Sequence, residues 1–349
     1  MKILFATEEI SAHPSEGLLV FTMHLCRFLN SAGELTVLYA SGDPEPGFSS
    51  LKLLSQRTLL TGALLSLMRG KKFDIVIYLP SSGLTAFGLG RGLLMRLLAK
   101  SPTIIIALQE RKIRKLHQLI SQISRPELVL SPDRKLRSNL DDIGLRTDFV
   151  MPGFDENLFR PVASEEKSKL RVKFNLPRDR FIVLHVGHIK ESRNIQVFLR
   201  YREWGPDIQP VIKGGEVDPS WRNRLRMAGI IVIDEYLDDI HKLYQAADCY
   251  LFPVSCPTGA LEFPLSVIEA AACNLPVLTT RFGALPETMD EGEGIIYFDK
   301  VSEIKGKLAV LRRSPSETRR KVKDFSWEIV FEKYLLPQMQ SLAEDGKGA

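Results

Sequence analysis

Two rhythms alternate along the chain. Short apolar runs at Lys2–Thr7 (KILFAT), Leu35–Tyr39, Phe73–Tyr78 (FDIVIY), Thr103–Ala107 (TIIIA) and Leu128–Leu130 read as buried strands. Between the first two, Leu18 to Ala32 carries apolar residues at i, i+3 and i+4 and stops at Gly33, the pattern of a helix. Strand, helix, strand implies parallel pairing through a right-handed crossover. The second half repeats the scheme, with strands expected at Phe181–Val186 (FIVLHV), Pro210–Lys213, Ile230–Ile233, Cys249–Phe252 and Pro276–Thr279. Helical patterns open at Ile195–Tyr201 and fill Ile240–Ala247 and Val267–Ala272, and Ser326 to Leu342 reads as one long amphipathic helix. No short-period repeat is present. The likeness between the halves is architectural: two α/β units, each a mostly parallel sheet with helices around it.

A break falls near 152–164, where PGFDENLFRPVASEE is polar, acidic and carries two prolines and a glycine. The expected division is therefore 1–160, 161–325, and a last helix over 326–349 that crosses back to the first domain. Ligands of open parallel sheets bind beyond the carboxyl ends of the strands, so two facing sheets would enclose a cleft.

Composition narrows the class. The 349 residues are 44% hydrophobic and 26% charged, which excludes a disordered chain, a collagen-like repeat and a small disulfide scaffold. Cys26, Cys249, Cys256 and Cys273 are scattered with no CxxC pair, which argues against a zinc ribbon and fits a reducing compartment. No apolar run reaches the ~18 residues of a membrane span, and MKILFATEEI lacks a signal-peptide layout. A cytoplasmic protein is the expectation. The net charge of +5 is unevenly spread: residues 51–125 hold 13 Lys and Arg against only Asp74 and Glu110. Such a bias points to an anionic partner. In that stretch GRGLLMRLLAKS and ERKIRKLHQLISQISR read as amphipathic helices suited to an anionic membrane face. Equally, their Leu and Ile residues can face the core with the basic residues solvated. Nothing there resembles a nucleic-acid module, and aromatics are not interleaved with the basic residues.

Two clusters carry candidate chemistry. The strand FIVLHV ends at Gly187, which permits a sharp turn, and His188, Lys190 and Arg193 follow at the carboxyl end where an anion would meet them. The bland alternative is a solvated loop. After the strand CYLFP comes GALEFPLSVIEAAACNLPVLTT, whose Pro264 places a helix start around Phe263–Leu265. The free N–H groups near Leu265 and Ser266 would attract phosphate. Glu269 sits one turn inside and leans back over the same mouth, as helical side chains do. It is suited to accept hydroxyl hydrogen bonds, or else merely complements the helix dipole.

Together the segments PGFDENLFRP, LHVGHIKESRN, IDEYLDDIHKLYQAADCYLFP, EFPLSVIEAAACNLPVLTT, RFGALPETMDEGEGIIYFD and FSWEIVFEKYL resemble the retaining glycosyltransferases of family 4, which have the GT-B fold: two Rossmann-like domains facing an interdomain cleft. The resemblance covers nearly all of the second half and, more weakly, the first. It implies that a basic pair grips the donor diphosphate, matching His188 and Arg193, with His188 departing from the usual arginine. It implies that Glu269 binds the ribose. The family's other glutamate, which contacts the donor sugar, falls on Leu261, with Glu262 one position late; either Glu262 substitutes or it is a surface glutamate. The base slot falls on Asp234–Leu237, where Tyr236 either lines the base or is an ordinary half-buried ring. Gly283 serves backbone conformation. In the first domain a glycine-rich loop is expected to approach the donor phosphates, and only Gly17 remains of it. His13, Ser81 and Ser82 are candidate acceptor or donor contacts.

The resemblance therefore implies an enzyme that moves a glycosyl group from a nucleotide diphosphate sugar to an acceptor hydroxyl with retention, using the diphosphate as leaving group and no obligatory metal or cofactor. Arg193, His188 and Glu262 are the catalytic candidates, with Gly17, Gly187, Tyr236, Leu265, Ser266 and Glu269 binding the donor. A saccharide or lipid-linked acceptor in cell-envelope glycan synthesis fits the basic stretch, as does peripheral attachment to the inner face of a membrane. The alternative is a catalytically impaired nucleotide-binding or scaffold module, suggested by Leu261, His188 and the thin glycine loop. A sugar-nucleotide epimerase fits the linker and the Glu269 helix less well.

Overall fold

The structure, a computed structural model, describes residues 1–14, 16–52, 72–81, 83–109 and 125–348. The chain forms two compact units, Met1–Pro152 together with Trp327–Ala349, and Gly153–Ser326.

In the first unit, strands β1 (Lys2–Thr7), β3 (Glu34–Tyr39), β5 (Ser49–Lys52), β6 (Ile75–Leu79), β7 (Thr103–Ile106), β8 (Leu128–Ser131) and β9 (Thr147–Phe149) form one sheet in the order β5-β3-β1-β6-β7-β8-β9. Every pair is parallel. Short β2 (Glu9–Ser11) and β4 (Ser41–Asp43) pair separately. β1, β6, β7 and β8 are buried almost throughout because helices cover both faces of a parallel sheet. The helix Gly17–Ala32 follows the expected period and buries Phe21, Leu25, Cys26 and Leu29. Phe21 meets the rings of Trp327 and Phe331 edge-on at 5.8 and 5.5 Å, which brings the chain's last segment into this unit. That segment is two helices, Trp327–Tyr334 and Leu336–Gly348, rather than the single expected one. Pro337 is the reason: it has no N–H to continue the ladder, so the run breaks at Leu335.

The second unit holds β10 (Phe181–Val186), β11 (Ile208–Lys213), β12 (Ile231–Ile233), β13 (Cys249–Phe252), β14 (Val277–Thr279) and β15 (Ile295–Tyr297), in the order β12-β11-β10-β13-β14-β15 and again all parallel. The core beneath one face gathers Val183, Phe198, Ile212, Leu225, Leu251 and Leu278. The stretch expected to open a helix at Ile195 is a 3-10 helix, Ile195–Glu203, entered through Asn194 in the left-handed conformation. The segment 153–160 packs with this unit: Phe154 N–H donates to the Phe325 carbonyl at 3.0 Å, and Gln245 donates to the carbonyls of Leu158 and Arg160. The boundary thus lies at Pro152/Gly153, several residues before the expected 160/161.

Strand order reverses between β10 and β13, since β11 and β12 lie on one side and β14 and β15 on the other. Loops leaving such a switch point diverge and open a crevice at the carboxyl ends. The loops that start at Gly187 and at Pro253 are those two.

Candidate donor site of the second unit

The two loops are tied to each other and to a third. Asn194 Nδ2 donates to the Pro253 carbonyl at 3.0 Å. A side chain at Gly259 would meet the Ser192 carbonyl at 2.6 Å, so this loop folds directly onto the Lys190–Arg193 turn. After β14, Thr280 Oγ1 donates to the Val254 carbonyl, and the Ala284 N–H donates to the Glu262 carbonyl at 2.8 Å.

Arg193 ends a 3-10 turn, Glu191–Arg193, and lies back over Gly187. A Cβ at Gly187 would stand 3.0 Å from Arg193 Nη1, so the glycine gives the guanidinium room to lie close against the backbone. The charge of His188, which the sequence leaves to its surroundings, is decided by its contacts. Its Nδ1 accepts the Glu216 N–H at 2.9 Å, which leaves the ring hydrogen on Nε2. Burial first, then the charges of Arg193 and Lys190, push its pKa down to about 4. At neutral pH His188 is therefore an uncharged donor. Lys190 turns to Glu216 at 3.0 Å. Arg193, the other cation of this loop, lies over Gly187.

The helix Leu265–Ala272 starts after Pro264, within the expected window. Tyr250 of β13 links its first turn to the strand ends: its hydroxyl donates to the Val186 carbonyl at 3.2 Å, and it shares a hydrogen bond with Ser266. Tyr250 packs on Tyr244, which holds Glu269, with ring centroids 5.8 Å apart, and its hydroxyl meets Val186 beside the Gly187 over which Arg193 lies. Glu269 is partly buried and accepts from the Tyr244 hydroxyl at 2.8 Å. Burial raises its pKa to about 7, against the lowering effect of that hydrogen bond. A carboxyl raised above its unfolded value stabilises the fold most below pH ~4.5, and that contribution is lost as pH climbs through about 7. Glu269→Gln keeps the acceptor for Tyr244 and removes the charge. The expected result is a melting temperature above wild type at pH 8, with the difference vanishing by pH 4. An equal shift at pH 8 and pH 4 would show that ionisation of Glu269 is not the cause.

Glu262 is 3% exposed, so the surface-glutamate alternative fails. Its carbonyl and carboxylate crowd Gly283: an added Cβ there would stand 2.1 Å from the carbonyl oxygen and 2.8 Å from Oε2. Gly283 has φ +51°, and its lack of a side chain lets the Glu262 carboxylate lie against the backbone. Leu261 is buried beside it. Tyr236 is 51% exposed and follows Asp234 and Glu235 beyond the end of β12. Asp234 itself is held by Arg222 and Arg226 at 3.1 and 3.0 Å.

Gly17 belongs to the first unit, where it opens the helix Gly17–Ala32 with no side-chain cap at Glu16. His13 is exposed in the preceding loop. Ser82, Ser15 and residues 110–124 lie outside the described residues, and with them the second of the two basic segments. The first basic segment is the helix Ala86–Ala99. Its two arginines turn to acids of their own unit, Arg91 to Glu8 and Arg96 to Glu127. Phe87 and Leu97 on it are 59% and 58% exposed. Two features escaped the sequence reading. At the end of β1, the Glu8 carboxylate accepts from Tyr78 Oη at 2.5 Å, from the Ser81 N–H at 2.6 Å, and from Arg91. Residues seventy and more positions apart leave no local signal of this. In the second unit Lys213 is buried at the end of β11; the signal was a charged residue closing the apolar run PVIK.

Residues 180–312 match the family model described as glycosyl transferases group 1. A D-inositol 3-phosphate glycosyltransferase of Mycobacterium tuberculosis is 27% identical over 192 residues, covering 50% of this chain and 38% of that protein, so the match spans well under half of the relative's length. Among solved structures, Anabaena HepE in complex with UDP aligns over 100% of both chains with a TM-score of 0.74 at 14% identity. Sucrose-phosphate synthase from Thermosynechococcus elongatus aligns over 99% of both with a TM-score of 0.73 at 17% identity. At these identities the likeness establishes the fold, the GT-B class with two Rossmann-like units.

Proposed function

With residues 180–312 a group 1 glycosyltransferase domain, we propose that this chain transfers a glycosyl group from a nucleotide diphosphate sugar to an acceptor hydroxyl, with retention at the anomeric carbon. One observation carries the reading: Arg193, the first turn of the Leu265–Ala272 helix and Glu269 converge around Tyr250 at the switch point of the second sheet. In the proposal the diphosphate lies between Arg193 and the N–H groups near Leu265 and Ser266, which offset the charge it gains on departure. His188 Nε2–H adds a neutral hydrogen bond. Glu269 accepts from the ribose hydroxyls, Glu262 meets the donor sugar, and Tyr236 lies along the base. Same-face attack, with the departing phosphate taking the acceptor proton, needs no protein nucleophile and asks for no metal. Incubation with a panel of UDP-, GDP- and ADP-sugars, read as thermal stabilisation and as release of the nucleoside diphosphate, tests it. Stabilisation with release from at least one donor supports the enzyme. Stabilisation without release from any donor, with candidate acceptors present, supports instead the binding module that Leu261, in place of a glutamate, suggests.

The acceptor proposed is a polysaccharide or lipid-linked saccharide of the cell envelope, reached from a peripheral position on an anionic membrane. The excess of basic residues over 51–125 supports this. Among the described residues no helix is long and apolar enough to cross a membrane. The expected result is co-sedimentation with phosphatidylglycerol-containing vesicles that declines as salt rises from 50 to 500 mM, roughly a threefold change in Debye length. Absence of sedimentation even at the lowest salt counts against it.

A further inference from the structure

Lys213 is a buried charge to which the proposed donor site assigns no role. It is 8% exposed, and burial lowers its pKa. Its neighbour Ile212 belongs to the core beneath one face of the sheet, so Lys213 projects from the other. In register, Val186 pairs with Lys213 while Leu184 pairs with Tyr250, which puts Lys213 and Tyr250 on the same face, flanking β10. The ammonium donates to the Gly214 carbonyl, and no carboxylate of the described residues forms an ion pair with it. The acidic charges it senses are Asp234 and Glu235. Asp234 is already engaged by Arg222 and Arg226. An ammonium carries three donors, and burying one with a single carbonyl partner costs stability. Charges kept at such cost mark functional sites.

Position selects the role. Lys213 pairs in register with Ile233, the last residue of β12 before the segment Asp234–Leu237, and the Gly214 N–H donates to the Ile233 carbonyl at 2.9 Å, whereas Arg193 lies over Gly187 at the end of β10. Lys213 thus stands at the nucleoside end of the proposed donor. We propose that Lys213 is a specificity-determining residue whose ammonium donates to an oxo group of the donor's base. Uracil and guanine present such an oxygen, whereas adenine presents an amino group that meets the ammonium donor to donor. This inference rests on the donor reading above.

Calorimetric titration of UDP, GDP and ADP into the wild-type chain and into Lys213→Met tests it. The wild type is expected to bind UDP or GDP at least tenfold more tightly than ADP. In Lys213→Met that preference is expected to collapse, with ADP affinity changed by less than threefold. The ligand-free variant is expected to melt at or above the wild-type temperature, because a buried charge has been removed; a purely structural lysine would lower it. Should Lys213→Met fail to fold, Lys213→Gln gives the same comparison, with part of the preference kept through its amide N–H. An unchanged preference, a uniform loss for all three nucleotides, or a wild type that prefers ADP overturns the assignment. If Arg193→Ala abolishes binding while Lys213→Met alters nothing, the donor reading stands and this inference alone fails. If no nucleotide binds the wild type, both fail.

Discussion

Arg193→Ala is expected to weaken UDP binding more than tenfold, above ~1.4 kcal/mol, with little change in melting temperature. The size follows from the uneven division of charge in the loop after β10. His188 is neutral because of burial and its positive neighbours, and Lys190 is paired with Glu216. In the proposed complex Arg193, which lies over Gly187, supplies charge-assisted hydrogen bonds to the diphosphate, and such bonds are about twice as strong as neutral ones. The helix N-terminus remains in the variant and retains residual affinity. Arg193→Lys keeps the charge without the planar fork, so an intermediate loss is expected. Raising salt should weaken the wild type more than the alanine variant, because the variant has less charge to screen. Calorimetry at two salt concentrations reads both effects, and a loss below threefold would remove Arg193 from the diphosphate grip.

Glu262→Ala is expected to reduce glycosyl transfer by more than a hundredfold while UDP affinity stays within threefold of wild type. A contact made to the donor sugar acts on turnover and leaves the nucleotide's own contacts intact. Glu262 is suited to this: it is almost fully buried, its carbonyl is fixed by the Ala284 N–H, and its carboxylate lies against the side-chain-free backbone of Gly283. Glu262→Gln preserves shape and one acceptor and should lose less. A melting temperature measured alongside separates lost chemistry from a collapsed loop. Turnover equal to wild type would sink the substitution of Glu262 for the missing glutamate at Leu261.

The α/β class and the parallel pairing were legible because buried strands of parallel sheets are continuous apolar runs, and FIVLHV, FDIVIY and TIIIA are unmistakable as such. The start of the Leu265 helix was legible from Pro264, whose fixed φ and missing N–H suit it to a helix start. Strand limits were less so: Phe73–Tyr78 shifted to Ile75–Leu79, because apolar character does not say where ladder pairing begins. The long terminal helix split at Leu335 because amphipathic periodicity is insensitive to the single N–H that Pro337 lacks.

Residue types and their order along the chain determined the two α/β units, the strand-end loops and the identity of the polar groups those loops carry. These are local matters of periodicity, backbone freedom and capping. Only the tertiary structure decided what those groups are. It made His188 neutral through burial and the Glu216 N–H, raised Glu269 toward neutral pH beside Tyr244, and buried Glu262 and Lys213. Protonation and burial depend on which distant segments close around a side chain, and the sequence near that side chain does not record them.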